Sequence, residues 1–361
     1  MINFEDFTVD NGAIRDLREL LFTSVYNDPD LERVATMRTE VKNGKKLGYL
    51  DSLGDVGVPG EGCDPTYTGV NITGLEKTWE LGDWEIAKNI CYKDLENTLA
   101  EYGMNGGTEA ADLTTTPYWT VVLIPLLQKA YTEMFWRLAW FGDKAAKNCT
   151  SSGVDETGGG TVTDTVDPAL LKPCDGLWKR LLAIIATSTG QKTEIAANEE
   201  STYVLQKTKI RESGVAIGIV DNLLSDADSR IFDYADHAIM MTNSLFKALR
   251  NDVVDKYGKT TMPFELVSAG VGLSEYDGHP IIVLDIWDRL IKKFEDNGTT
   301  LNCPHRAVVC SPSNLFIGTT DKDRVASLTV KFDDRKRDNY IFAGSNLGTL
   351  VGEDVLVQVA I

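Results

Sequence analysis

The feature that most constrains the fold is an almost continuously apolar segment at residues 117–143, PYWTVVLIPLLQKAYTEMFWRLAWFGD. Read as a helix, it carries aromatic and aliphatic side chains on every face, and only Lys129, Glu133 and Arg137 form a polar edge. Such a helix is about 35 Å long, comparable to the width of a domain. The sequence therefore predicts a helix that other protein must cover on nearly all sides.

Residue types mark the ends of this helix. Thr116 is a suitable N-cap, Pro117 fits the first turn, and Gly142 is a suitable stop. Pro125 cannot donate a helical hydrogen bond, so a bend is expected there. A membrane span is the alternative, but polar and charged side chains interrupt the segment before about 18 apolar residues accumulate. We therefore expect no membrane contact.

Composition limits the possible partners. The 361 residues are 43% hydrophobic, enough for two or three compact units, and the formal net charge is −18. A surface this acidic repels phosphate backbones and anionic membranes, which argues against sequence-specific nucleic-acid binding. The N-terminus lacks the basic and apolar regions of a signal peptide, so a cytoplasmic origin is expected.

No motif indicates catalysis or metal binding. The six cysteines are scattered without a CxxC pair and are expected to be free thiols; a zinc site built on Cys303, His305 and Cys310 would lack a fourth ligand. His237, His279 and His305 are the only histidines and are expected to be structural. We therefore assign no catalytic, cofactor-binding or metal residue. An acidic cytoplasmic glycan-acting hydrolase, or a sugar-binding module with tryptophan-lined grooves, remains an alternative.

The N-terminal segments cannot bury themselves. The first forty residues predict two short helices, too small for a core of their own. Residues 44–82 carry glycines between short alternating runs, the pattern of a long extended β-hairpin. Its aromatic and aliphatic side chains exceed what an isolated hairpin covers. Both segments therefore need a neighbour, either elsewhere in the chain or in another subunit.

From residue 167 onward, helices and strands alternate, and the class is α+β with mixed sheets. A buried strand is expected before a helix capped by Thr242 or Asn243, and a second helix begins at Asp285. Two strands are expected to be joined at residues 311–314, and residues 327–346 to form a ribbon or hairpin. The chain ends in a strand.

The order of these segments resembles that of tailed-bacteriophage major capsid proteins with the Hong Kong 97 type of fold. Several strings resemble that family over nearly the whole chain: GCDPTYTGVNITGLEKTWELGDWEIAKNICYKDLENTLAEYG, FWRLAWFGD, KPCDGLWKRL, DADSRI, IWDRLI, PHRAVVCSPSNLFIGT and DDRKRDNYIF. Their weight comes from their number and order, since none is a catalytic motif.

The resemblance implies a fold of four parts. These are an N-terminal arm (1–43), an extended loop (44–85), a peripheral domain with the long spine helix (86–194 and 326–346), and an axial domain of mixed sheet and helices (195–325 and 347–361). Some relatives carry a scaffolding extension before the arm, whereas here the arm begins within the first fifteen residues. A separate scaffold protein, or none, would then be needed.

The implied function is a structural, non-enzymatic subunit without cofactors. It would form hexamers and pentamers of an icosahedral virion capsid, assembled in the bacterial host cytoplasm around double-stranded DNA that is enclosed without sequence-specific binding. Portal, scaffold or decoration proteins would be further partners, and a nanocompartment shell of the same fold is an alternative. The expected intersubunit contacts are Leu50, Tyr67, Trp79, Trp84, Arg33, Arg38, Lys45, Lys46, Glu61 and Asp64.

Overall fold

The computed structural model describes residues 29–50, 74–91, 123–148, 161–163, 166–258, 262–268, 270–320, 327–333, 335–336 and 338–361. Seven α-helices lie in these ranges: α1 (Pro29–Glu32), α2 (Ile124–Phe141), α3 (Leu177–Thr187), α4 (Tyr203–Lys209), α5 (Val215–Ser225), α6 (Asn243–Tyr257) and α7 (Asp285–Phe294).

The strands of the same ranges are β1 (Thr36–Arg38), β2 (Lys46–Leu50), β3 (Gly74–Thr78), β4 (Gly82–Cys91), β5 (Lys147–Asn148), β6 (Thr161–Val162), β7 (Lys192–Thr193), β8 (Ala238–Thr242), β9 (Phe264–Ser268), β10 (Val271–Tyr276), β11 (His279–Leu284), β12 (Ala307–Cys310), β13 (Leu315–Gly318), β14 (Ser327–Asp333), β15 (Asp338–Val351) and β16 (Val357–Ala360). Helices and strands intermix along the chain, which confirms the α+β class.

The long strand β15 organises a five-stranded sheet. Its first part pairs antiparallel with β14 on one side and with β4 on the other. Its last four residues pair antiparallel with β13, which pairs in parallel with β1. The ribbon predicted at residues 327–346 is therefore a hairpin, and it is extended by β4 into a sheet.

A mixed seven-stranded sheet has the order β7-β16-β12-β8-β11-β10-β9. Along β8, Ala238 and Met240 face the hydrophobic cluster that contains α2, whereas Ile239 and Met241 face a second cluster formed with α5 and α6. Both faces of this central strand are buried, as the apolar run AIMMT predicts.

The spine helix α2 is covered mainly by its own chain at its C-terminal half. The ring of Trp140 lies 4.6 Å from that of Trp287 on α7 and 6.0 Å from that of Trp178 on α3. Its predicted polar edge faces α7, where Glu133 forms an ion pair with Lys293. Cover by neighbouring subunits is therefore not needed at this end. Near the N-terminal end Leu126 is 59% exposed.

A buried ion pair joins the end of α7 to the residue before β12. Arg306, 3% exposed at its side chain, contacts the Glu295 carboxylate and lies 5.5 Å from the ring of Phe141 and 5.3 Å from that of Trp178. Burial raises the pKa of Glu295, against the lowering effect of the guanidinium. Because both charges are desolvated, each depends on the other.

Three stretches of strand lie close to the domain limits expected from the sequence. Strand β13, expected in the axial domain, lies in the five-stranded sheet, so the chain crosses between sheets at residues 311–314. Strand β15 continues through the boundary expected at residue 346, and residues 82–85 of the expected loop belong to β4. These differences arise because pairing partners, which the local pattern does not specify, determine sheet membership.

One local prediction changes. Thr242 occupies the N-cap position of α6 without a side-chain hydrogen bond there, and the Asp288 carboxylate of α7 accepts from the backbone N–H groups of Asn243 and Ser244, at 2.7 and 3.1 Å. Pro125 lies in the first turn of the described helix, and the residues before Leu123 lie outside the described ranges, so the bend expected there stays a prediction. The expected cap at Thr116 and Pro117 lies outside the described residues.

Candidate assembly surfaces

The hairpin stem formed by β2 and β3 is fixed at its base to the five-stranded sheet. The N–H of Gly44 donates to the carbonyl of Trp79, and the N–H of Trp79 donates to the carbonyl of Lys45, both at 2.9 Å. One turn earlier, the N–H of Val41 donates to the carbonyl of Thr319 at 3.0 Å, just beyond β13. Backbone hydrogen bonds thus tie the two strands of the base to each other and tie its first strand, through Val41, to the segment after β13.

Trp79 is the side chain that locks this base. It is 3% exposed and packs with Val41, Phe316 and Leu350 in a small separate cluster. A Cβ at Gly318 would lie 2.5 Å from the indole ring, so the ring occupies the space that the glycine leaves free. The expected role of Trp79 as an intersubunit anchor is therefore corrected: the indole is buried within its own subunit.

Trp84 is likewise a core residue. It is 4% exposed, and its ring meets that of Tyr131 on α2 edge-on, with centroids 5.8 Å apart. It points inward because alternate side chains of a strand share a face, and Ile86 packs against the same core. The sequence correctly indicated that both tryptophans need to be buried, but the residues that bury them lie in the same chain.

Beyond its base, the stem has an open side. Strands β2 and β3 pair antiparallel from Lys46 opposite Thr78 to Leu50 opposite Gly74. A Cβ at Gly48 would meet no atom within 4 Å. Lys46 and Glu76 form an ion pair whose side chains are 64% and 58% exposed, and the hydrogen bond to Glu76 raises the pKa of Lys46.

One stem residue reaches back to the body. The ammonium of Lys77 donates to the carbonyl of Val351 at 3.0 Å and contacts the carboxylate of Asp354. Nearby, Arg180 lies 3.6 Å from Glu80 and donates to the hydroxyl of Thr349 at 3.2 Å. These contacts set the direction in which the stem leaves the body.

The expected rim residues Arg33, Arg38 and Lys45 are exposed, as is Lys46. Arg33 lies 4.0 Å from Asp30, and the guanidinium of Arg38 lies 5.1 Å from the ring centroid of Phe316. Sequence reasoning missed Lys42, which is exposed on the same stretch. Residues 33–46 hold five basic side chains and one acidic one in a chain with net charge −18.

Four further expected contact residues lie at or beyond the limits of the described residues. Tyr67, Glu61 and Asp64 lie outside the described residues. Leu50 is described only as the last residue of β2. Contacts at these four positions remain predictions.

Comparison with known proteins gives similar folds but no sequence family. No protein-family model matches the chain, and no curated protein sequence matches it. The chain is similar to solved capsid structures. One is the satellite phage P4 procapsid including size determination (Sid) protein, with 10% identity, 98% of each chain covered and a TM-score of 0.46.

Two further structures are similar over most of their length. The capsid of the native GTA particle shares 10% identity, with 92% of this chain and 89% of that chain covered and a TM-score of 0.48. A structure described as Mycobacterium phage Ogopogo shares 14% identity, with 91% and 90% covered and a TM-score of 0.47.

A cleft of about 560 Å³ lies between α4, α6 and α7. Its buried histidine, His305, has both ring nitrogens in internal contacts: Nδ1 lies 3.0 Å from the hydroxyl of Ser244, and Nε2 lies 3.3 Å from the carbonyl of Gln206. Burial lowers the pKa of His305 to about 4. A ring held in this way is structural, as the sequence predicts, and is not placed to act on a ligand.

No helix in the described ranges is both long and apolar enough to cross a membrane. Within the same ranges, no three or more histidine, cysteine, aspartate or glutamate side chains converge as a metal site. Cys174 and Cys310 are buried free thiols, and burial raises the pKa of both.

Proposed function

We propose that this chain is the major capsid protein of a tailed bacteriophage, a structural and non-catalytic subunit that assembles with copies of itself. The observation that carries the proposal is the hairpin. Its base is anchored by Trp79 and by paired backbone hydrogen bonds, while Gly48, two positions past the first stem residue, faces open space. A two-stranded hairpin is marginally stable alone, so a stem held out from a rigid base needs another molecule to cover it.

Charge distribution supports a copy of the same chain as that cover. The arm and stem base present exposed Arg33, Arg38, Lys42, Lys45 and Lys46, whereas the chain as a whole is strongly acidic. A basic segment on one subunit is complementary in charge to the acidic surface of the next. This attraction orients two subunits as they approach, although each carries a net negative charge. These five residues are our candidates for rim contacts between subunits.

The four-part division from the sequence becomes a proposal with adjusted limits. Residues 1–43 act as the arm, and the extended loop runs from residue 44 to residue 81, immediately before β4 begins at Gly82. The five-stranded sheet with α2 and α3 forms the peripheral domain. The seven-stranded sheet with α5 and α6 forms the axial domain, which meets other copies at the centres of hexamers and pentamers.

The wider assembly follows from this assignment. The subunits form an icosahedral head in the bacterial host cytoplasm and enclose double-stranded DNA. The net charge of −18 is consistent with an inner wall that does not bind DNA in a sequence-specific way. Portal, scaffold or decoration proteins complete the particle.

The test removes the loop without disturbing its anchor. Residues 51–73 are replaced by an Asn-Gly pair, so that Leu50 and Gly74, which are paired in the stem, become the ends of a two-residue hairpin turn. The expected product is a soluble subunit with unchanged circular dichroism that forms no shells in negative-stain electron microscopy. The wild-type chain, purified in parallel, forms shells.

A second variant separates the loop from the basic segment. The double variant Lys45→Glu, Lys46→Glu reverses the charge of the basic segment and keeps the loop, and it should assemble more slowly than the wild type. High salt should also slow the assembly of the wild type, because it screens the same charges. Normal shells from the loop-replaced chain would refute the proposed role of the hairpin.

A further inference from the structure

The cleft between α4, α6 and α7 is lined by four basic side chains that form no ion pair with any described residue. They approach the cleft from three walls. Lys247 lies on α6, Lys292 lies on α7, and Lys207 and Arg211 lie on α4 and just after it. All four are exposed, so their charged ends are open to a molecule from solvent.

On α4 and α7, the other basic side chains do have acidic partners. These ion pairs are Lys209 with Glu212 at 2.8 Å, Lys293 with Glu133 at 2.6 Å, and Arg289 with Asp285 at 3.7 Å. None of the three basic residues in these pairs lines the cleft. On these two helices, basic side chains without an acidic partner are therefore confined to the cleft wall.

The acidic side chains of the cleft wall already accept hydrogen bonds from the protein. Asp288 accepts from the first two N–H groups of α6, Asp285 accepts from the side-chain amide of Asn243 at 2.7 Å, and Asp296 accepts from the hydroxyl of Tyr203. These carboxylates are held by protein donors, whereas the basic groups of the wall are available to a ligand. The cleft therefore favours a negatively charged molecule, although the chain as a whole is acidic.

The size and the apolar part of the wall indicate more than a bare anion. The volume of about 560 Å³ falls within the range of about 300–1,000 Å³ that is usual for small-molecule sites. Buried Ile210, Ile291 and Pro304 line the cleft, and the ring of Tyr203 is 37% exposed there. Basic groups around a cleft with apolar walls also focus the electric field on its interior.

We propose that this cleft binds a small molecule that carries a chain of two or three phosphate groups, and that the phosphates contact Lys207, Arg211, Lys247 and Lys292. Arginine binds phosphate oxygens through paired N–H groups, and lysine binds them as a compact positive charge. A nucleoside triphosphate and inorganic triphosphate share this chemistry. They differ in the nucleoside, which would contact the apolar wall. The site goes beyond the shell function and does not depend on it.

The experiment titrates the purified full chain calorimetrically at low salt with three probes: ATP, inorganic triphosphate and adenosine. We expect one ATP per chain, weaker binding of inorganic triphosphate, and no binding of adenosine, which has no charge for the basic groups to bind. Tighter binding of inorganic triphosphate than of ATP would still support the site and would identify an inorganic polyphosphate as its ligand.

Matched variants separate the cleft from general attraction between opposite charges. Lys207→Ser and Lys292→Ser should each weaken ATP binding by about tenfold, as expected for the loss of one hydrogen bond to a charged group. Lys209→Ser and Lys293→Ser remove the same charge one or two positions away, from side chains that are ion-paired outside the cleft. These two controls should bind ATP as the wild type does, and circular dichroism should be unchanged in all four variants.

Three results would overturn the proposal. The first is that neither ATP nor inorganic triphosphate binds. The second is an equal loss of ATP affinity in Lys207→Ser and Lys209→Ser, because general charge attraction would then account for the binding. The third is an ATP affinity that falls as the protein concentration rises, because an acidic surface of a second copy would then occupy the cleft.

Discussion

Gly318→Ala should loosen the base of the hairpin although the change lies on a different strand. A Cβ at this position would lie 2.5, 2.9 and 3.0 Å from three ring atoms of Trp79, whereas carbon atoms in contact normally lie about 3.5–4.0 Å apart. The indole would have to move by about 1 Å. It is 3% exposed among Val41, Phe316 and Leu350, so it has little room. Overpacking of this kind costs about 1–3 kcal/mol.

Hydrogen exchange at the stem base measures this cost locally. The amides of Gly44 and Trp79 close the base, and a loss of about 1–3 kcal/mol should speed their exchange by about 5–150-fold. Gly48→Ala is the matched control, because its methyl group meets open space and should leave exchange unchanged. Adding Trp79→Ala to Gly318→Ala should make the alanine tolerated. Two results would refute the anchoring role of Trp79. One is unchanged amide exchange in Gly318→Ala, and the other is that Gly318→Ala speeds exchange as much in the Trp79→Ala background as in the wild type.

Two further predictions concern the buried charges. Arg306→Met should destabilise the subunit by about 3–5 kcal/mol in urea unfolding, because Glu295 is left buried without its partner. Adding Glu295→Met should recover most of the lost stability. An equal loss of stability in the single and double variants would contradict this prediction. Burial raises the pKa of Asp288 from 3.8 to about 6, so the folded subunit binds a proton that the unfolded chain lacks between these values. This carboxyl should therefore make the folded subunit more stable as the pH falls from about 7 to 4. The difference in urea midpoint between the wild type and Asp288→Asn should change over the same pH range. A difference that does not depend on pH would contradict this prediction.

The sequence predicted the helices and strands themselves better than it predicted which strands pair with one another. The strand runs, the β10–β11 turn, the start of α7 at Asp285 and the β14–β15 hairpin follow from local periodicity and turn chemistry. Sheet membership does not, because β12 and β13 are separated by four residues and yet pair in different sheets. The choice of partner depends on the register of distant strands, which a local pattern does not encode.

Candidate contact residues show the same limit. The aromatic content of the hairpin correctly predicted that Trp79 and Trp84 need cover, but composition could not tell whether that cover lies in the same chain. The deciding signal for Trp79 is Gly318, more than 200 residues away, whose missing side chain leaves room for the indole. By contrast, exposed Arg33, Arg38, Lys45 and Lys46 could be anticipated from charge alone.

The spine helix shows both outcomes together. Its polar edge of Glu133 and Arg137 was readable from helical spacing, and the structure places it against α7. Its cover was not readable, because the tryptophans that meet Trp140 lie on α3 and α7. A helix apolar on every face therefore indicates burial without identifying what buries it.

Electron microscopy of the purified wild-type chain over a range of concentrations bears on whether the subunit builds a shell. The shell account predicts closed particles of uniform diameter, containing five-fold and six-fold clusters of subunits, that appear above a threshold protein concentration. A monodisperse monomer at every concentration, confirmed by sedimentation velocity, would contradict it.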